Sequence, residues 1–176
     1  MKFEVTSLAG AFVIHQERIT DERGFFARTF SREEFAAHGL STEVVHCNTS
    51  FNRRRGTLRG MHWQESPYEE TKLVRCTSGA IHDVIVDLRH DSATYGRHVG
   101  VELTAEAGTL LYVPEGFAHG FITLTDDVEV AYQMSQVYAP EHARGARWDD
   151  PFFDIQWPLE PIVMSARDRS YPDHRP

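Results

Sequence analysis

The sequence predicts an all-β protein, a sandwich or a barrel, and three observations carry that prediction. From residue 44 onward, eight short apolar or alternating segments follow one another: 44–51, 57–63, 72–77, 81–88, 97–103, 109–113, 120–124 and 128–134. Most are separated by Gly, Pro, Asp or Ser, residues that set turns and end strands. No internal repeat and no linker interrupts the series, so residues 1–176 read as one domain, a length that can bury a sizeable core.

Composition narrows the function classes. Hydrophobic residues make up 41% and charged residues 25%, the balance of a soluble globular protein. The formal net charge of −8 argues against nucleic acid or an anionic membrane as partner, yet leaves room for an anionic ligand in a local basic pocket. Cys47 and Cys76 are too few for a disulfide framework, which points to a reducing compartment. The start, Met-Lys-Phe-Glu-Val-Thr, lacks the apolar core of a signal peptide, and no run approaches the length of a membrane span. The expected location is cytoplasmic.

Taken in order, residues 11–14 form a short apolar strand. In 19–30, Asp21, Glu22 and Gly24 mark a turn, and Phe25, Phe26 and Phe30 are expected as apolar anchors, giving a hairpin with an aromatic cluster. Ser31 and Glu34 have capping-box spacing, Phe35 and two alanines follow, and Gly39 is a stop, so 31–38 reads as a short helix. Segment 81–88 alternates His82, Val84, Val86 and Leu88 against Ile81, Asp83, Ile85 and Asp87, and so has two differently employed faces. Beyond Pro140 the chain is charged and proline-rich, and is expected as irregular covering structure with one short helix.

The stretch 56–64, Gly-Thr-Leu-Arg-Gly-Met-His-Trp-Gln, is chemically the richest. Strict alternation would place Leu58, Gly60, His62 and Gln64 on one strand face and Arg59, Met61 and Trp63 on the other. His62 and Gln64 on an inward face need partners or a task. A second histidine, His119, closes the segment 108–119, Gly-x5-Pro-x-Gly-x2-His. That pattern resembles the second motif of the cupin superfamily, and Gly56 to His62 resembles the first. The resemblance implies a cupin-type double-sheet jelly roll with short peripheral helices. Gln64 and Thr123 stand where metal cupins usually carry a ligand histidine and an asparagine. One reading is therefore a metal-dependent cupin, a dioxygenase or isomerase, using His62, Glu69 and His119.

The competing reading rests on more of the chain. Asp21–Phe26, Asn48–Ser50, Gly56–Gln64, Lys72–Cys76, Asp83–Arg89, Pro114–Phe121, Tyr132, Tyr138, Trp148–Pro151 and Ser165–Asp168 together resemble the dTDP-4-dehydrorhamnose 3,5-epimerase family. The resemblance implies an isomerase that inverts C3, C5 or both in a nucleotide-linked 4-keto-6-deoxyhexose by removing and returning a proton beside the ketone, without metal or cofactor, as a homodimer. It implies His62 as base, a role an imidazole suits near neutral pH. Asp168 would orient it, Tyr132 would be the acid on the opposite face, and Lys72 would stabilise the enolate, with His119 beside it. Arg23, Arg59, Asn48, Tyr138 and Arg167 would bind the nucleotide, the arginines gripping its diphosphate.

Four positions depart from the family pattern: Arg28 and Ala143 replace Glu, His46 replaces Gln, and Ile19 stands where an aromatic is common. An ionised glutamate accepts the N–H of thymine, whereas arginine only donates. Arg28 and His46 therefore enter as base-contacting candidates, with the substrate either dTDP- or CDP-linked.

Overall fold

The computed structural model describes residues 1–175. In chain order the elements are β1 (Lys2–Val5), β2 (Phe12–His15), β3 (Ile19–Asp21), β4 (Gly24–Phe26), α1 (Arg32–Ala37), β5 (His46–Asn52), β6 (Leu58–Gln64), β7 (Lys72–Ser78), β8 (Ala80–Asp87), β9 (His98–Thr104), β10 (Leu110–Val113), β11 (Phe117–Thr123), β12 (Val128–Met134), β13 (Ala143–Gly145) and α2 (Ala166–Ser170). A six-stranded sheet in the order β1-β2-β10-β7-β12-β5 faces a five-stranded sheet in the order β13-β6-β11-β8-β9, and β3 and β4 form a separate hairpin. This is the double-sheet arrangement of a cupin jelly roll. Among the described residues no helix is long and apolar enough to cross a membrane.

Period-two alternation builds both layers. On β8, Ile81 and Ile85 enter the core between the sheets, while Val84 and Val86 face outward under the C-terminal segment with Met61, Ala118 and Phe153. The outer face of the six-stranded sheet is covered by α1, where Phe35 packs on Ile14, Leu73, Leu110 and Tyr112. That helix starts at Ser31, whose side chain accepts from the Glu34 N–H.

The inner faces change character along their length. On β12, Val128 and Val130 are buried core, but Tyr132 and Met134, further along the same face, line a cavity. On β7, Val74 and Cys76 are core and Lys72 reaches the cavity. One end of the sandwich is therefore sealed by apolar side chains and the other is open and polar.

The structure corrects several sequence expectations. Strand β11 begins at Phe117, before the expected start at 120, so His119 is a strand residue. Strands β1 and β13, which are not among the expected strands, close sheet edges. The aromatic cluster of the hairpin does not form: Phe25 and Phe26 are 56% and 65% exposed, the Phe25 ring lies under the Arg18 guanidinium, and Phe30 packs against Phe35. The alternation on β6 also breaks. Its register with β11 shifts between the pairs His119–His62 and Phe121–Arg59, which gives β6 one extra residue. Arg59 and His62 consequently line the same cavity.

That shift lies where β6 and β11 touch through glycine. A Cβ on Gly60 would lie 2.5 Å from Gly120 Cα, and Gly60 has φ +139°. Gly60→Ala is expected to destabilise the fold by roughly 1–3 kcal/mol through forced separation of the strands. Equilibrium denaturation in urea measures this; an unchanged midpoint would show that the strands yield freely.

Candidate active site

The open end of the sandwich holds a cavity of about 690 Å³. Its walls come from both sheets. The six-stranded sheet contributes His46, Asn48 and Ser50 from β5, Lys72 from β7 and Tyr132 from β12. The five-stranded sheet contributes Arg59 and His62 from β6, His119 from β11 and Arg144 from β13. Tyr138, Arg167, Asp168 and Tyr171 complete the wall.

Two histidines, adjacent across the β6–β11 pairing, are each held by a buried carboxylate. His62 Nε2 lies 2.8 Å from Asp168 Oδ1. Asp168 sits in the first turn of α2, and its N–H donates to the Oγ of the N-cap Ser165 at 3.0 Å. Burial alone would raise the Asp168 pKa. Hydrogen bonds from His62, Ser165 and the Gly60 N–H, with the attraction of the imidazole, outweigh it and hold the carboxyl below its ordinary value. His119 Nε2 contacts Oδ1 of Asp83, which is fully buried and whose second oxygen has no hydrogen-bond partner among the described residues.

A third pair, this one between a lysine and a glutamate, involves the facing sheet. Lys72 Nζ is 2.9 Å from Glu70 Oε1 and 3.4 Å from the His62 carbonyl. Gln64 points inward as the sequence suggests, but its amide is fully used. Nε2 donates to Tyr68 O at 2.9 Å and Val137 O at 3.1 Å, and Oε1 accepts from the Ala139 N–H at 2.6 Å. It ties the loop before β7 to the loop that carries Tyr138.

The residues of the metal reading do not assemble. His62 and His119 turn their Nε2 atoms to separate aspartates, and Glu69 does not line the cavity. Among the described residues no three His, Cys, Asp or Glu side chains converge on a metal-sized site. Arg23 and Arg28 also lie outside the chain's own cavity. Arg23 is on the exposed hairpin, paired with Asp21, and Arg28 pairs with Glu34 at 3.5 Å.

The dTDP-4-dehydrorhamnose 3,5-epimerase family matches residues 5–175. The chain belongs to this family. An epimerase of that name from Methanothermobacter thermautotrophicus is 45% identical over 174 residues, covering 97% of this chain and 92% of the relative. A crystal structure of the Bacillus anthracis enzyme with TDP and PPi bound superposes with a TM-score of 0.95 at 36% identity, covering 98% and 99% of the two chains. A 3′-monoepimerase from Streptomyces bikiniensis, in complex with dTDP-quinovose, superposes with a TM-score of 0.88 at 35% identity, covering 97% and 86%. As a member of the family, the chain is an isomerase, an epimerase acting on a nucleotide-linked 4-keto-6-deoxyhexose.

The structure brings together ten of the twelve candidate residues, all but Arg23 and Arg28. Glu70, Arg144, Tyr171 and Asp83 were not singled out from the sequence. Asp83 had a signal, a carboxylate on the Ile81/Ile85 face of an apolar strand. Glu70 looked like any loop acid, and Tyr171 like part of a loose tail.

The Asp168 shift has a consequence for stability. A carboxyl depressed in the folded state stabilises the protein above its unfolded pKa, near 3.9, and that stabilisation is lost as pH falls through the folded value. Below about pH 4 the unfolding free energy of the wild type is expected to drop, and Asp168→Asn should flatten that slope. Urea titrations across the acid range measure it; identical slopes would show that Asp168 is not linked to folding.

Proposed function

We propose that the cavity epimerises a dTDP-linked 4-keto-6-deoxyhexose at both C3 and C5 by proton transfer between its two walls. The observation that carries this reading is that His62 and Tyr132 line one cavity from opposite sheets, with His62 held by Asp168. An inversion needs a base on one face of the sugar and an acid on the other. The His62 nitrogen not held by Asp168 removes the proton beside the ketone, and Asp168 stabilises the imidazolium. The electron pair moves onto the C4 oxygen. Lys72, seconded by His119, meets that oxyanion, a contribution of roughly 2.7–4 kcal/mol for one well-placed donor. Tyr132 then gives its hydroxyl proton to the carbon from the other side, and solvent restores both groups. The reacting residues occupy a single domain.

Asn48, Tyr138 and Arg167 would hold the nucleotide; the Arg167 guanidinium already donates to the Tyr138 hydroxyl at 3.3 Å. Arg59 supplies charge for the diphosphate. The named relatives support dTDP. A second reading, a CDP-linked substrate, is favoured by His46 and Ala143 at the wall, where the family pattern carries Gln and Glu; the acids that do line the cavity, Glu70 and Asp168, are paired with Lys72 and His62. Side-by-side kcat/KM values decide between them; the expected order is dTDP above CDP.

A homodimer accounts for the surface left over. The hairpin exposes Ile19, Phe25 and Phe26, and Val44, Val45 and Phe51 lie exposed along the edge strand β5 and the residues leading into it. An apolar edge of this kind is usually covered. Pairing two copies there would bury it and could carry Arg23, 85% exposed by side chain, toward the other copy's cavity. Sedimentation should give twice the chain mass, and Phe26→Asp should shift it toward the monomer. A wild-type monomer at micromolar concentration would remove the dimer reading.

For the chemistry, His62→Ala is expected to abolish solvent deuterium uptake at C3 and C5. Tyr132→Phe should retain uptake, because His62 can return deuterium to the same face, but lose inversion. Proton NMR in D2O reads both. Normal epimerised product from Tyr132→Phe would require a different acid.

A further inference from the structure

We propose that Glu70 is a positioning residue for the epimerisation: its carboxylate, 2.9 Å from Lys72 within the cavity wall, offsets the lysine's charge and keeps its nitrogen aimed at the substrate carbonyl oxygen. The inference rests on the reading in which Lys72 meets the developing oxyanion.

The pair is not a surface ion pair. The side chains of Lys72 and Glu70 are 8% and 7% exposed, and removing one partner of such a pair strands the other charge away from water. Glu70 is also fixed at both ends of its short segment. Gln64 holds the Tyr68 carbonyl on one side. On the other, the Thr71 N–H donates to Ser135 Oγ at 2.8 Å, and the Ser135 N–H donates back to the Thr71 carbonyl. A carboxylate between two such anchors holds its lysine in one place. Lys72 itself is on a central strand, flanked by Val113 on β10 and Met134 on β12, neither of which offers charge.

The rest of the cavity makes Glu70 decisive. The titratable and charged groups that line the cavity with Lys72 and Glu70 are Arg59 and His62 on β6, His119 on β11, His46 on β5, Tyr132 on β12, Arg144 on β13, Arg167 and Asp168 on α2, and Tyr138 and Tyr171 in the loops. Most are cationic or become so on protonation, so a further cation placed among them needs an anion beside it. Asp168 is the other carboxylate lining the cavity, and it is committed to His62 and Ser165. Glu70 is therefore the anion that offsets Lys72. It also limits where the ammonium can point, since the second contact of Nζ is the carbonyl of His62, the residue that removes the proton.

The test compares wild type, Glu70→Gln, Glu70→Asp and Lys72→Met by pH profiles of kcat/KM and of deuterium uptake, with thermal melts to confirm folding. Glutamine keeps the size of the side chain and removes the charge. A buried ammonium without its anion loses its proton more readily, so in Glu70→Gln the alkaline limb of both profiles should move down by about 1 pH unit or more. The loss should be greatest at alkaline pH and fall mainly on kcat. Glu70→Asp should recover part of the shift. Lys72→Met should be slow at every pH, by about 10²–10³-fold. If Lys72→Met is slow but Glu70→Gln keeps the wild-type profile, or loses rate equally at all pH, the proposal for Glu70 is overturned and the role of Lys72 stands. If Lys72→Met reacts at the wild-type rate, the oxyanion reading of Lys72 fails and the proposal falls with it.

Discussion

Two residues without side chains, Gly60 and Gly120, let strands β6 and β11 approach until backbone meets backbone. Much of the reactive wall depends on that contact. The extra residue of β6 is accommodated beside it, and this turns Arg59 and His62 to the same side. The Gly60 N–H also reaches Asp168. One stretch of backbone thus places His62, supports the carboxylate that holds His62, and aligns an arginine with both.

A sandwich interior tolerates charge only where each charge is answered. The open half of this one is organised in such pairs: His62 with Asp168, His119 with Asp83, Lys72 with Glu70. The histidines lie on one sheet and the lysine on the other, so a ligand between the layers meets fixed dipoles and charges from both sides. A further fully buried carboxylate, Asp87, is answered by Arg89, Ser92 and Thr94 and serves the frame rather than the cavity. There burial, which alone would raise the pKa, is outweighed by these partners, and Asp87 is held far below the ordinary carboxylate range.

Alternation and turn chemistry are local, and what they govern was readable from the sequence: the central strands, the capped helix at Ser31 and the two faces of β8. The residues of the cavity were readable because their spacing resembles a known family. What escaped depends on distant partners. Strands β1 and β13 are short edges: β1 alternates over only four residues, Lys-Phe-Glu-Val, and the three residues of β13 carry no pattern of their own. Arg59 was assigned to the wrong face because a bulge is set by the neighbouring strand, not by the strand itself. Phe25 and Phe26 look like core in any list of residues, and only the folded chain shows them facing outward. Glu70 became visible only once Lys72 was found beside it.

Gln64 constrains how such a protein can diversify. Its single amide satisfies three backbone atoms, the carbonyls of Tyr68 and Val137 and the N–H of Ala139. No one substitution elsewhere can replace all three, and leaving them unpaired in a buried place is costly. The paths of both loops are therefore anchored at shared points, while the side chains between those points remain free to vary. Descendants of this chain can explore new ligands by exchanging a residue such as Tyr138, which lies between two of these points, but lengthening or rerouting either loop at its anchor would require abandoning the other's as well.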